Sequence, residues 1–252
     1  MRVCVLRAGG TNCDAETKLA LEASGLEAEV VHINLLNPKL TFDALVVPGG
    51  FSYGDHVRAG AILAKKAQRV LESFAEAGKP ILGICNGFQV LVEAGLLPGF
   101  SKGSVDACLG TNDSARFECR WVHLRHEGGR SIFTKSIQVG AVLHMPVAHS
   151  EGKFILRDSS DFRRLVEGGQ LVFRYCDEKG RPAGGRYPLN PNGSQLDVAG
   201  ICDRTGLIFG LMPHPERAYW GWQLPDWTSR RREYGDGKLI FDALASFLRG
   251  RV

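Results

Sequence analysis

The chain reads as an α/β fold: an open, mostly parallel sheet with helices on both faces and an antiparallel extension. Two observations predict the parallel part. Short apolar runs at residues 2–6, 29–33, 44–47 and 81–84 have the length and composition of buried strands, and segments of helical periodicity lie between them. Strands that alternate with helices pair in parallel through right-handed crossovers. A third observation predicts the extension, because from Phe117 onward the runs shorten and Gly, Asn and Pro turns separate them. A length of 252 residues suits one domain, residues 1–252, with enough chain to bury a sizeable core.

Each element has its own warrant. Residues 15–24 form a helix with Leu19 and Ala23 on the apolar face, and residues 59–77 form another with Ile62, Ala67, Val70, Leu71 and Phe74. Residues 177–194 are rich in Gly, Pro and Asn and make a long excursion. Residues 208–212 form a further apolar strand, and Phe241, Leu244, Phe247 and Leu248 give the last helix its stripe. Cys4 and Cys202 fall in apolar runs and belong to the core. In an open sheet of this kind ligands gather at the carboxyl ends of the strands.

Composition narrows the function classes. A hydrophobic content of 44% and a charged content of 23% are those of a globular protein, and a net charge of +4 gives no case for nucleic acid. The triplet Arg230-Arg231-Arg232 reads as a solvated turn or a docking contact. Seven cysteines, an odd number without C-x-x-C spacing, argue against a disulfide framework or a zinc site, so no metal is expected. No apolar stretch is long enough to span a bilayer, and the cytoplasm is the expected location. No phosphate loop and no dinucleotide fingerprint is present, so ATP is not expected to be a substrate of this chain.

Three motifs carry chemistry. In Gly83-Ile84-Cys85-Asn86-Gly87, flanking glycines permit a sharp strand-to-helix turn, the geometry of a nucleophile elbow, and the thiol meets a helix N-terminus that favours a thiolate. A buried core cysteine is the bland alternative. In Pro213-His214-Pro215-Glu216, Pro215 stiffens the turn, so Glu216 can hold one ring nitrogen of His214 while the other faces Cys85. Read alone, that segment is also a surface turn; paired with the elbow it predicts a Cys85–His214–Glu216 triad. After the strand at 44–47 come Gly49 and Gly50, and the backbone amides of Gly50 and Asn86 are candidates for an oxyanion hole. Cys13 lies near the end of the first strand with no base beside it in sequence, and Cys108, Cys119 and Cys176 have no assignable role.

These motifs, in this order, resemble the class I glutamine amidotransferases, whose fold is flavodoxin-like. The resemblance spans nearly the whole chain through Gly10-Thr11-Asn12-Cys13-Asp14, Gly49-Gly50-Phe51-Ser52-Tyr53-Gly54-Asp55, Arg58-Ala59-Gly60-Ala61-Ile62, the Cys85 segment, His149-Ser150-Glu151-Gly152, Asn190-Pro191-Asn192-Gly193-Ser194, Ala199-Gly200-Ile201 and Met212-Pro213-His214-Pro215-Glu216-Arg217-Ala218. Ser150 stands where another small residue is also usual, and residues 219–236 resemble the longer form of the family's C-terminal region. The resemblance implies that L-glutamine is the substrate, that His149 and Ser150 border its site, and that Gln89 faces it, although a core-facing amide fits Gln89 nearly as well. The Phe51-Ser52-Tyr53 and Asn190-Pro191-Asn192 segments are similar to the branch that serves purine synthesis. That branch implies delivery of ammonia to a separate large synthetase subunit, which uses ATP and Mg2+ to convert formylglycinamide ribonucleotide to its amidine, and a small bridging subunit. It implies no cofactor in this chain and neither nucleic acid nor membrane as partner. The competing readings are a glutaminase of another amidotransferase complex, a related α/β cysteine hydrolase or chaperone-like protein, which would lack the His-Pro-Glu segment, and a non-catalytic scaffold subunit.

Overall fold

The computed structural model describes residues 1–37 and 41–250. The first half alternates as expected: β1 (Arg2–Arg7), α1 (Asp14–Ala23), β2 (Glu27–His32), β3 (Ala44–Val47), α2 (Ala61–Glu76), β4 (Ile81–Ile84) and α3 (Asn86–Glu93). The second half contains β5 (Ala107–Thr111), β6 (Glu118–His126), β7 (Val142–His149), β8 (Glu151–Leu156), α4 (Asp161–Glu167), β9 (Leu171–Cys176), β10 (Val198–Cys202), β11 (Ile208–Leu211) and α5 (Lys238–Leu248).

A nine-stranded sheet runs β2-β1-β3-β4-β11-β10-β9-β6-β7, and β5 pairs with β8 in a separate antiparallel ribbon. The five strands from β2 to β11 are parallel, and the remainder of the large sheet is antiparallel. The chain steps one way from β1 to β2 and the other way from β3 to β4. Right-handed crossovers therefore put α1 and α2 on opposite faces, where α1 packs with α5 and α2 with α3. Burial on both sides explains why every residue of β3, β4 and β11 is apolar or glycine and buried. The antiparallel β7 alternates instead, with Leu143, Met145, Val147 and His149 facing inward.

Three expectations need correction. The antiparallel pattern does not persist from Phe117 to the end, because β11 returns to pair in parallel with β4. In α1 the buried face is Asp14, Thr17, Ala20 and Leu21, while Leu19 and Ala23 face solvent. Short alanine-rich turns offer two apolar stripes of nearly equal strength, and the one facing α5 and β1 won. In α2, Leu63 and Ala64 take the buried place assigned to Ile62, which is half-buried. Residues 177–194 hold no helix or strand, only a bridge between Cys176 and Pro182. Cys4 and Cys202 are fully buried. Arg230, Arg231 and Arg232 are exposed. Among the described residues no helix is long and apolar enough to cross a membrane.

Candidate active site

Four neighbouring parallel strands end side by side, and each delivers a group to one place. The loop after β1 carries Cys13, that after β3 carries Gly49 and Gly50, β4 ends at Cys85, and His214 lies just past β11. The β4–β11 ladder does not stop at Ile84 and Leu211, since the Cys85 amide donates to the Leu211 carbonyl at 2.8 Å. That rung holds the two loops together.

Cys85 adopts φ 51° and ψ −106° between β4 and α3. A non-glycine residue is strained there, and such strain persists only where the surroundings impose it. Gly87 shows the constraint: a β-carbon on it would run into the carbonyl of Val47, so the helix can approach β3 only with glycine at this position. Cys85 is 4% exposed, and its sulfur lies 3.6 Å from the Ala148 carbonyl oxygen.

His214 is held from two sides. Its amide donates to the Pro146 carbonyl of β7 at 2.8 Å, and its Nδ1 lies 2.6 Å from Glu216 Oε1. With Nδ1–H given to the carboxylate, Nε2 is the free nitrogen, and it has no partner among the described residues. Both side chains are buried. Burial by itself would lower the His214 pKa, but the Glu216 carboxylate and the neighbouring Cys85 and Cys13 sulfurs together hold it well above the ordinary value. Cys85 and His214 line one narrow cleft of about 60 Å³, together with Asn12, Cys13, Gly50, Ala148 and Arg217. At its mouth stand Phe51 and Phe117, with ring centroids 6.1 Å apart.

Of the two expected oxyanion donors, Gly50 lines the cleft and Asn86 follows Cys85 directly without lining it. Gly50 has φ 151° and bridges Thr11, and a β-carbon there would sit 2.7 Å from the Gly10 oxygen. Asn86, first residue of α3, leaves its amide without an intrahelical acceptor. Its side chain accepts from the Ser52 amide at 3.2 Å and donates to Gln89 Oε1 at 2.8 Å, tying the elbow to the glycine loop.

Three expected substrate contacts lie elsewhere. Gln89 does not line the cleft; its amide is engaged at both ends, by Asn86 and by the Glu151 carbonyl at 2.5 Å, so it is the core-facing brace. His149 is buried with Nδ1 3.1 Å from Asn112 Oδ1, and burial followed by the charge of His214 pushes its pKa down to about 3. Ser150 is exposed. The period of β7 explains the shift, because with His149 facing inward it is the carbonyl of Ala148 that reaches Cys85.

Cys13, which has no base beside it in sequence, finds its partners through the fold. Its sulfur accepts from Arg217 Nη2 at 3.1 Å, and Arg217 Nε is held by Glu16 at 2.8 Å. Cys13 Sγ, a His214 ring nitrogen and a Glu216 carboxylate oxygen lie within 4.8 Å of one another. The signal was topological: β1 sits next to β3, so the loop after β1 had to open onto the same site.

Comparison with known proteins agrees with this architecture. The CobB/CobQ-like glutamine amidotransferase domain matches residues 1–248. A phosphoribosylformylglycinamidine synthase subunit PurQ of Archaeoglobus fulgidus is 47% identical over 98% of this chain and 97% of its own. That of Methanothrix thermoacetophila is 41% identical over 100% and 99%. Among solved structures, a chain of PurLQS from Thermotoga maritima superposes with a TM-score of 0.76 at 34% identity, covering 98% of each chain. The glutaminase domain of Trypanosoma brucei CTPS shares the fold at a TM-score of 0.60 and 14% identity, over 100% of this chain and 95% of that one. With its elbow and His-Glu turn on a sheet of this order, the chain belongs to the PurQ family of phosphoribosylformylglycinamidine synthase subunits, glutamine amidotransferases of purine biosynthesis.

Proposed function

We propose that this chain hydrolyses glutamine with Cys85 as nucleophile, His214 as acid and base and Glu216 as its orienting carboxylate, and that the ammonia goes to a synthetase subunit that makes formylglycinamidine ribonucleotide. One observation carries the reading: the strained cysteine and the 2.6 Å His214–Glu216 pair leave adjacent parallel strands and face one cleft.

The Cys85 thiolate attacks the side-chain amide carbon of glutamine, and the amides of Gly50 and Asn86 receive the oxyanion. Collapse of the adduct breaks the C–N bond, with His214 giving its proton to departing ammonia. Water then adds to the γ-glutamyl thioester as His214 takes a proton back, and glutamate leaves with the thiol restored. Glu216 favours the imidazolium against the cost of burying it. ATP and Mg2+ belong, in this reading, to the synthetase, and a small third subunit bridges the two. The PurLQS assembly of Thermotoga maritima, similar to this chain through one of its members, supports that division.

A cleft of about 60 Å³ has room for only a few water molecules. Glutamine therefore needs the Phe51–Phe117 mouth to widen, and docking on the synthetase is the event that widens it. The isolated chain is expected to be a poor glutaminase that its partner activates.

The test is Cys85→Ala in the assembled complex. Glutamine-dependent amidine synthesis should fall by roughly 100,000-fold while synthesis from added ammonium persists. Loss of both activities with assembly intact would contradict the division of labour.

A further inference from the structure

The chemistry proposed above leaves Cys13 unused, although it stands beside the groups that perform it. Its sulfur, a ring nitrogen of His214 and an oxygen of Glu216 form a compact buried set. In that set the second carboxylate oxygen, Glu216 Oε2, is buried without a hydrogen-bond partner among the described residues. Cys13 Sγ, His214 Cε1 and His214 Nδ1 would all crowd a β-carbon placed on Gly49, at 3.0, 2.7 and 3.4 Å, so the thiol and the Nδ1 edge of the imidazole both border this glycine.

Thiolate, imidazole and carboxylate are a donor set for Zn2+ with one position left open. We propose that Cys13, His214 and Glu216 form an inhibitory capture site for a thiophilic divalent cation, of which Zn2+ is the natural choice. The charge balance is favourable: thiolate and carboxylate neutralise the cation, while Arg217, already paired with Glu16, supplies an N–H to the sulfur. Capture releases the Cys13 thiol proton and any proton on the ligating imidazole nitrogen to solvent, without oxidation or reduction. Affinity therefore rises with pH. A cleft too narrow for glutamine still admits a dehydrated cation. Mg2+ and Ca2+ prefer all-oxygen shells and should not be taken up, so the Mg2+ required by the synthetase would not silence this subunit.

Loss of activity on capture rests on the reading of His214 as catalytic base, whereas capture itself does not. The experiment therefore measures both in the full chain. Zn2+ affinity, from competition with a chromophoric chelator, should survive Cys85→Ala and weaken by at least about ten-fold in Cys13→Ser. X-ray absorption at the zinc edge of Cys85→Ala should show one sulfur in a mixed nitrogen and oxygen shell. In the complex, micromolar Zn2+ should inhibit glutamine-dependent synthesis reversibly with chelator, and Cys13→Ser should blunt that inhibition by a similar factor. Loss of Zn2+ binding in Cys85→Ala would put the metal on the nucleophile and overturn the proposal. So would a zinc shell lacking sulfur or made only of sulfur, and this readout stands even if Cys13→Ser does not fold.

Discussion

The site at the carboxyl ends of the parallel strands and the segment 190–197 beside the antiparallel strands use their polar residues in opposite ways. At the carboxyl ends of the parallel strands, buried polar atoms are left open: His214 Nε2 and Glu216 Oε2 lack partners among the described residues, and Cys85 is held at a strained φ. In residues 190–197, beside the antiparallel strands, the polar atoms are instead tied to one another. Asn190 accepts from the Gly193 and Ser194 amides and donates to the Ser194 carbonyl and Asp197. Asn192 bonds Tyr175 on β9, and Ser194 accepts from Phe154 on β8. Two buried histidines condense the contrast. Burial lowers both, but His214 has a carboxylate at Nδ1 and ends well above its usual pKa, while His149 has a neutral amide there and falls to about 3. Depth is common to both; the charge of the hydrogen-bond partner decides which of them can carry a proton.

The largest effect expected from breaking this contrast is Glu216→Gln, which gives His214 the kind of neutral partner that His149 has. Turnover of glutamine should drop roughly 1,000- to 10,000-fold. With the carboxylate gone, burial prevails and the His214 pKa falls, so the alkaline limb of the rate profile should move to lower pH. An unmoved profile would show that the carboxylate sets only the orientation of the ring.

Next in size is Gly50→Ala. The new methyl would meet the Gly10 oxygen and the Asn12 amide within 3 Å, at a φ unsuited to alanine. Losing one oxyanion donor costs on the order of 100- to 1,000-fold in turnover, while labelling of Cys85 by a glutamine-derived electrophile should be affected less. Equal losses in both measurements would assign the damage to collapse of the cleft.

Asn190→Ala probes the tied half and should reverse the pattern. Several buried amides and carbonyls lose their partner, for about 1–3 kcal/mol of stability in urea melts, with turnover per folded molecule preserved in the complex. A stable but inactive variant would place this segment in the chemistry.

The smallest effect is at the seam between the halves, where Asp55 faces Glu151. Burial, then repulsion by Glu151, raises the Asp55 pKa from 3.8 to about 6. Between those values the folded chain holds a proton that the unfolded chain has lost, so stability falls as pH rises through that window. Asp55→Asn should remove the fall. Because the side chain is only half-buried, solvent screening reduces the gain above pH 6 to on the order of 1 kcal/mol. Urea midpoints on either side of the window decide it, and identical slopes in both proteins would refute the coupling.

The parallel half was legible because its signals are local. A four-residue apolar strand and a glycine-flanked cysteine each declare themselves within a few positions, and β3, β4 and the elbow lie where the sequence puts them. His214 and Glu216 were legible because the two residues that must cooperate are two apart. Cys13 was hidden because its neighbours come from another strand's loop, and only the adjacency of β1 to β3 reveals them. Gln89 and His149 were less legible for a related reason. A polar residue one turn or one strand position from a site can face either way, and the answer depends on which distant carbonyl or amide takes its hydrogen bond.

The position of β11 has a consequence for how the molecule comes into being. This strand is the joint between β4 on one side and β10 on the other, and it is the last strand in the chain. Neither half of the sheet can be sealed to the other before Ile208–Leu211 has emerged from synthesis, and such distant pairings close slowly. Cys85 acquires its anchoring carbonyl and its imidazole from the same late arrival. A truncated or stalled chain thus carries the thiol without its base, so that assembly of the sheet acts as a proofreading step for the reactivity it houses.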